Sequence, residues 1–86
     1  MPEISRFFGI VIAMYYNDHA PPHFHARYGE FIAKIDILTG AVLEGDLPRR
    51  ALSLVQEWRT THQTELLDVR QQIVNRQPHS KIDPLE

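Results

Sequence analysis

No cysteine occurs among the 86 residues. Disulfide staples, thiolate metal sites and cysteine nucleophiles are excluded together, and the absence fits a reducing compartment, so a cytoplasmic location is expected. There is no basic excess either. Nine Lys+Arg stand against eleven Asp+Glu, a net charge of −2, which rules out a strongly basic whole-protein field for nucleic acid while leaving room for a local basic patch. No apolar run is long enough for a transmembrane helix, so no membrane partner is expected. The opening Met1-Pro2-Glu3-Ile4-Ser5-Arg6 leads into no signal-peptide h-region with a small-residue cleavage site, and this end is expected to belong to the fold. The chain is expected to form a single domain over residues 1–86, because a chain of this size builds one core. What the sequence does have is histidine: five in all, with His19, His23 and His25 inside seven residues.

The chain divides into a strand-like half, about 7–44, a helical region, about 47–77, and a tail, 78–86. Residues 7–16 are apolar on both alternating faces and rich in aromatic and β-branched side chains, which predicts one strand covered on both sides. Asn17 to Pro22 is a loop stiffened by two prolines. In His23-Phe24-His25-Ala26-Arg27-Tyr28, then Gly29-Glu30, then Phe31 to Ile37, the leading glycine suits a type II′ hairpin turn. The register that turn predicts pairs Tyr28 with Phe31, Ala26 with Ala33 and Phe24 with Ile35 on an apolar face. The other face pairs His25 with Lys34 and His23 with Asp36, with Arg27 opposite Ile32. Both strands alternate consistently with this one register. Leu38-Thr39-Gly40 predicts a second hairpin loop with Gly40 left-handed, placing Leu43 opposite Ile35 and Glu44 opposite Lys34.

Asp46 before Leu47-Pro48 predicts a helix start with the aspartate as N-cap. Ala51, Leu54, Val55, Trp58 and His62 then recur at helical spacing, continued by Leu66, Val69 and Ile73. Thr60-Thr61 predicts a kink or break. Trp58 reads as core and His62 as a boundary residue. Arg49-Arg50 opposes the dipole of the helix it begins, and reads as a solvated face or as a site for an anion or a partner's carboxylate. Ile82 and Leu85 in the tail predict an extended docking segment. The expected fold is α+β: a three- to four-stranded antiparallel meander, packed on one face by one bent or two C-terminal helices. Its apolar face is expected to use Phe24, Ala26, Tyr28, Phe31, Ala33, Ile35 and Leu43. The second apolar face of the first strand, around Val11, Ala13 and Tyr15, then needs a cover. The tail or a second copy could supply it, and a homodimer is expected.

His-x-His on a strand places both imidazoles on one face, about 6.5–7 Å apart along the chain. Two such rings can converge on an ion, since Zn–N bonds are about 2.0–2.1 Å. The metal reading takes His23 and His25 with one of Asp18, His19 and Asp36, for a divalent transition metal: Zn, Fe, Mn or Ni. A metal-free reading makes His23 and His25 the general acid and base, with Arg27 or Lys34 holding a phosphate, a set suited to RNA cleavage. The candidate catalytic residues are thus His23, His25 and Arg27. The structural reading leaves both histidines as hydrogen-bonded residues on an open sheet face. Asp18-His19 has no Ser or Cys motif beside it, so a nucleophile triad is unsupported. Whether the chain is an enzyme stays open on these residues alone.

Ile4-Ser5-Arg6-Phe7-x-Gly9-Ile10-x-Ile12-x-Met14-Tyr15 and Asn17-Asp18-His19-x-Pro21-Pro22-His23-Phe24-His25-Ala26-x-Tyr28-Gly29 resemble the opening and the signature of a small bacterial family, catalogued as domain of unknown function 4160. Thr39-Gly40, Leu47-Pro48-x-Arg50-Ala51-Leu52, Glu57-Trp58, Glu65-Leu66-Leu67 and Ile82-x-Pro84-Leu85 continue the likeness over nearly the whole chain. The resemblance assigns no catalytic residue. It implies a component of a two-gene, toxin–antitoxin-like module beside another small protein (domain of unknown function 2442). It therefore implies a protein partner of the same module, and nucleic acid as a conceivable target.

Overall fold

A computed structural model describes residues 3–15 and 20–86. Five antiparallel strands run in simple meander order: β1 (Glu3–Phe7), β2 (Ile10–Ala13), β3 (His23–Tyr28), β4 (Phe31–Asp36) and β5 (Val42–Gly45). Two helices follow, α1 (Arg49–Thr61) and α2 (Gln63–Val74). The architecture is α+β, with one strand more than the three to four expected. The extra strand comes from the first apolar stretch. Phe8 and Gly9 both take positive φ, 49° and 80°, and form a two-residue turn whose twist joins β1 to β2 as a hairpin. Residues 7–16 are therefore not one strand, and Glu3–Phe7 forms the sheet edge. Gly9 is needed here for its backbone: any side chain at φ 80° would be strained, while the space beside the Tyr28 ring would only just admit a β-carbon.

The β3–β4 hairpin has the predicted register at every pair, from His23↔Asp36 to Tyr28↔Phe31, with Gly29 at φ 59°. The β4–β5 pairing keeps Lys34↔Glu44 but shifts at the next position, so Val42, not Leu43, lies opposite Ile35. Leu43 is taken up by the irregularity and is exposed rather than core. The predicted apolar face also fades at its far end, where Tyr28 and Phe31 are 39% and 41% exposed.

Asp46 is not the cap of α1. Pro48 occupies that position without a side-chain bond, and Asp46 Oδ1 accepts from the Leu47 amide at 2.9 Å. The break at Thr60-Thr61 falls one residue later, at His62, which separates α1 from α2. Trp58 is fully buried and organises the core, with ring centroids 5.3 Å from Phe7 and 5.9 Å from Phe24. The tail docks on this core: Ile82 is buried, its amide donates to the Ile4 carbonyl at 2.8 Å, and Leu85 packs alongside. The tail thus closes the β1 edge of the core rather than the outer face of the sheet. On that outer face Val11 and Ala13 are already buried within the single chain.

Candidate functional site on the sheet

The outer face of the sheet carries the histidines. Strand alternation sends Phe24 and Ala26 into the core, both at 0% exposure, and His23 and His25 to the opposite side. Their rings meet edge-on with centroids 5.4 Å apart. Tyr15 adds an edge-on contact to His25 at 4.8 Å. Ala13 faces His25 across β2–β3, and Tyr15 lies two residues further along the chain. That period of two already set Ala13 and Tyr15 on one face in the sequence; what it did not supply was the β2–β3 register that lays this face beside His25.

His23 is the more enclosed of the pair, at 3% exposure. Its Nδ1 lies 2.7 Å from the Pro21 carbonyl oxygen. A carbonyl only accepts, so Nδ1 carries the proton and Nε2 is the basic nitrogen of the neutral ring. This is the arrangement by which protein environments fix a metal-binding or proton-accepting imidazole. Pro21 and Pro22 hold the carbonyl in place, and the Pro22 carbonyl itself accepts from Ile37 N at 3.0 Å, extending the β3–β4 ladder into the loop.

Asp36 is buried beside this pair, in register with His23. Its Oδ1 accepts from the amides of Leu38 at 2.7 Å and Thr39 at 3.0 Å, so the carboxylate caps the β4–β5 loop. The same loop is clamped from α1. Gln56 donates to the Gly40 carbonyl at 2.6 Å, and Arg59 donates to the Ile37 carbonyl at 3.1 Å. Asp36 therefore links the histidine face to a fastened turn. Lys34, opposite His25, pairs with Glu44 at 3.3 Å. Arg27 stands exposed at the outer end of the same face, with no ion pair among the described residues.

The structure thus puts the His23 and His25 rings in contact, sets Asp36 in register with His23, adds Tyr15 beside His25, and leaves Arg27 and Lys34 at the rim. Asp18 and His19 lie outside the described residues. No group of three His, Cys, Asp or Glu side chains arranged to hold a metal occurs among the described residues. No helix is long and apolar enough to cross a membrane, among the same residues.

The family described as "Domain of unknown function (DUF4160)" matches over residues 9–69. The chain belongs to this family. The match takes in the whole histidine face, from β2 through β4, together with both loops that fasten it and all of α1. No curated protein and no solved structure matches the chain.

Proposed function

We propose that this DUF4160 chain is a toxin-like interaction protein of a bacterial two-gene module, working in the cytoplasm, with the His23–His25 face as its active surface. The observation that carries the proposal is the Pro21 carbonyl 2.7 Å from His23 Nδ1, beside the His25 ring. A buried imidazole preset in one tautomer next to a second imidazole is costly to build as mere surface, and it is what a reactive or recognition site requires. The partner is the small protein of the same module. The experiment is expression in a bacterial host. The chain alone arrests growth, the co-expressed module protein relieves the arrest, and His23→Ala with His25→Ala abolishes it while the protein stays folded. Growth unaffected by the wild-type chain would sink the toxin-like reading.

The second reading is a metal-dependent or acid–base ribonuclease or hydrolase on the same face. The orientation of His23 favours it, because Nε2 is the nitrogen that would bind Zn, Fe, Mn or Ni or accept a proton. Asp36 Oδ1 is engaged by the loop, so a third ligand would come from Asp18 or His19, or from the other Asp36 oxygen. Elemental analysis of untagged protein separates the cases: stoichiometric metal supports the metal enzyme. Its absence, with no cleavage of RNA, leaves a binding module without catalysis. A homodimer, if it forms, uses another surface than the one expected, because Val11 and Ala13 are already buried within the single chain. Light scattering at micromolar concentration tests it, and a 10.0 kDa species at every concentration would exclude it.

A further inference from the structure

Three features that work against the fold converge at one place. Phe8 sits at φ 49°, a conformation unfavourable for a bulky side chain, and its ring is nevertheless 59% exposed. Arg49 and Arg50 occupy the first turn of α1, where no acidic residue offsets them and where positive charge opposes the helix dipole. Tyr28 and Phe31 point to the helix side of the sheet by register, yet both stay about two-fifths exposed. Phe8, Tyr28 and Arg50 line a single groove of about 170 Å³, walled by Ile10, Ala51 and Leu54. Arg49, Arg50 and Leu54 continue it over the surface of α1. Local choices that cost stability and gather at one site are the mark of a site kept for function.

We infer that this groove docks an acidic segment of a partner protein, carrying an apolar anchor that enters between Phe8, Tyr28 and Leu54 while its carboxylates meet Arg49 and Arg50. The inference rests on the reading that the chain works through a protein partner. Charge decides against a second copy. A two-fold interface sets the same patch on both subunits, which would bring four arginines together. Area decides likewise. The two exposed rings that line the groove, Phe8 and Tyr28, offer roughly 200 Å², well short of the roughly 800 Å² per subunit of a standard interface. That area suits the central anchor of a peptide-like contact. Aliphatic walls at Ile10 and Leu54 suit a side-chain anchor better than a stacked base.

The test uses a helical peptide with leucines at i, i+4 and i+7 and glutamates elsewhere, its counterpart with lysines for glutamates, and a labelled single-stranded RNA. Binding is read by calorimetry and by amide shifts on the isotope-labelled chain. The glutamate peptide binds, moves the amides of Phe8, Tyr28 and Leu54, and binds at least about tenfold more tightly than the lysine peptide. Phe8→Asn, which suits the left-handed turn, and Arg50→Glu, which suits the helix start, each weaken it about tenfold while leaving the melting temperature equal or higher. His23→Ala with His25→Ala leaves peptide binding intact, so failure of the histidine reading and failure of the groove are told apart. No binding of the glutamate peptide, equal binding of the two peptides, insensitivity to both groove variants, or RNA binding in its place overturns the inference.

Discussion

The indole N–H of Trp58 donates to the carbonyl of Asp83 at 2.9 Å, so the residue at the centre of the core also holds the tail. One side chain packs the sheet against α1 and fastens an extended segment that has no secondary structure of its own. Trp58→Phe keeps an aromatic ring but removes the donor and some volume. It should cost about 2 kcal/mol and speed proteolysis within the tail well beyond what global unfolding accounts for. Denaturant titration beside timed proteolysis measures both, and a destabilised variant with an equally protected tail would contradict the link.

Asp36 should separate loop fastening from chemistry. Asp36→Ala strands the Leu38 and Thr39 amides and should cost about 2 kcal/mol. Asp36→Asn retains an oxygen for both amides and should recover more than half of that. If the growth phenotype or metal uptake is lost in the asparagine variant while its stability is kept, the carboxylate charge acts on the histidine face as well. Equal loss of stability in both variants would show that the charge itself holds the loop.

Much of this region was legible from residue order alone. The β3–β4 register follows from two strands that each alternate, with a glycine at the turn, because a slip of one residue would have put His23 and His25 in the core. The Phe8-Gly9 turn was not legible, because apolar residues on both sides and an aromatic in the turn itself imitate a continuous strand. Leu43 looked like core for a related reason: alternation does not reveal a bulge, which changes the count on one strand only. At the candidate site, period two was enough to place His23 and His25 on one face. It could not reveal that Asp36 is drawn into the β4–β5 loop, since that depends on the loop's two amides.

Ser5 is buried on β1, and its hydroxyl finds no hydrogen-bond partner among the described residues. Ser5→Ala removes the stranded group with almost no change of shape. Stability should be unchanged or raised by up to about 1 kcal/mol, measured as the midpoint of urea unfolding. A loss of more than that would mean the hydroxyl has a partner in solution.

Gly45 ends β5 at φ 76°, and a β-carbon there would collide with the Ile32 carbonyl oxygen. Both obstacles act on the backbone, so Gly45→Ala should cost about 3 kcal/mol or more and detach the edge strand first. Hydrogen exchange at Lys34 and Glu44 reports that detachment. Unchanged protection would place the strand end elsewhere.

For zinc, the expectation is specific. Metal taken up by the wild-type chain should be lost from the double variant His23→Ala, His25→Ala, with the pH dependence of a neutral imidazole ligand: weaker as the pH falls and protons compete for the ring nitrogens. Titration with a zinc-responsive dye decides it, and equal uptake by the variant would move the metal off the sheet.

Because every strand pairs with its neighbour in the chain, the sheet can assemble hairpin by hairpin while the polypeptide is still being made. Short loops keep the entropy of each closure small. The tail contact is different: Ile82 reaches back to Ile4, so it forms only after the sheet and both helices have been made. During synthesis the nascent sheet therefore waits with its apolar side uncovered, first for the helices and then for the tail. In that interval the uncovered side is most exposed to aggregation and to chaperones, and the docking of Ile82 and Leu85 is one of the contacts that ends it.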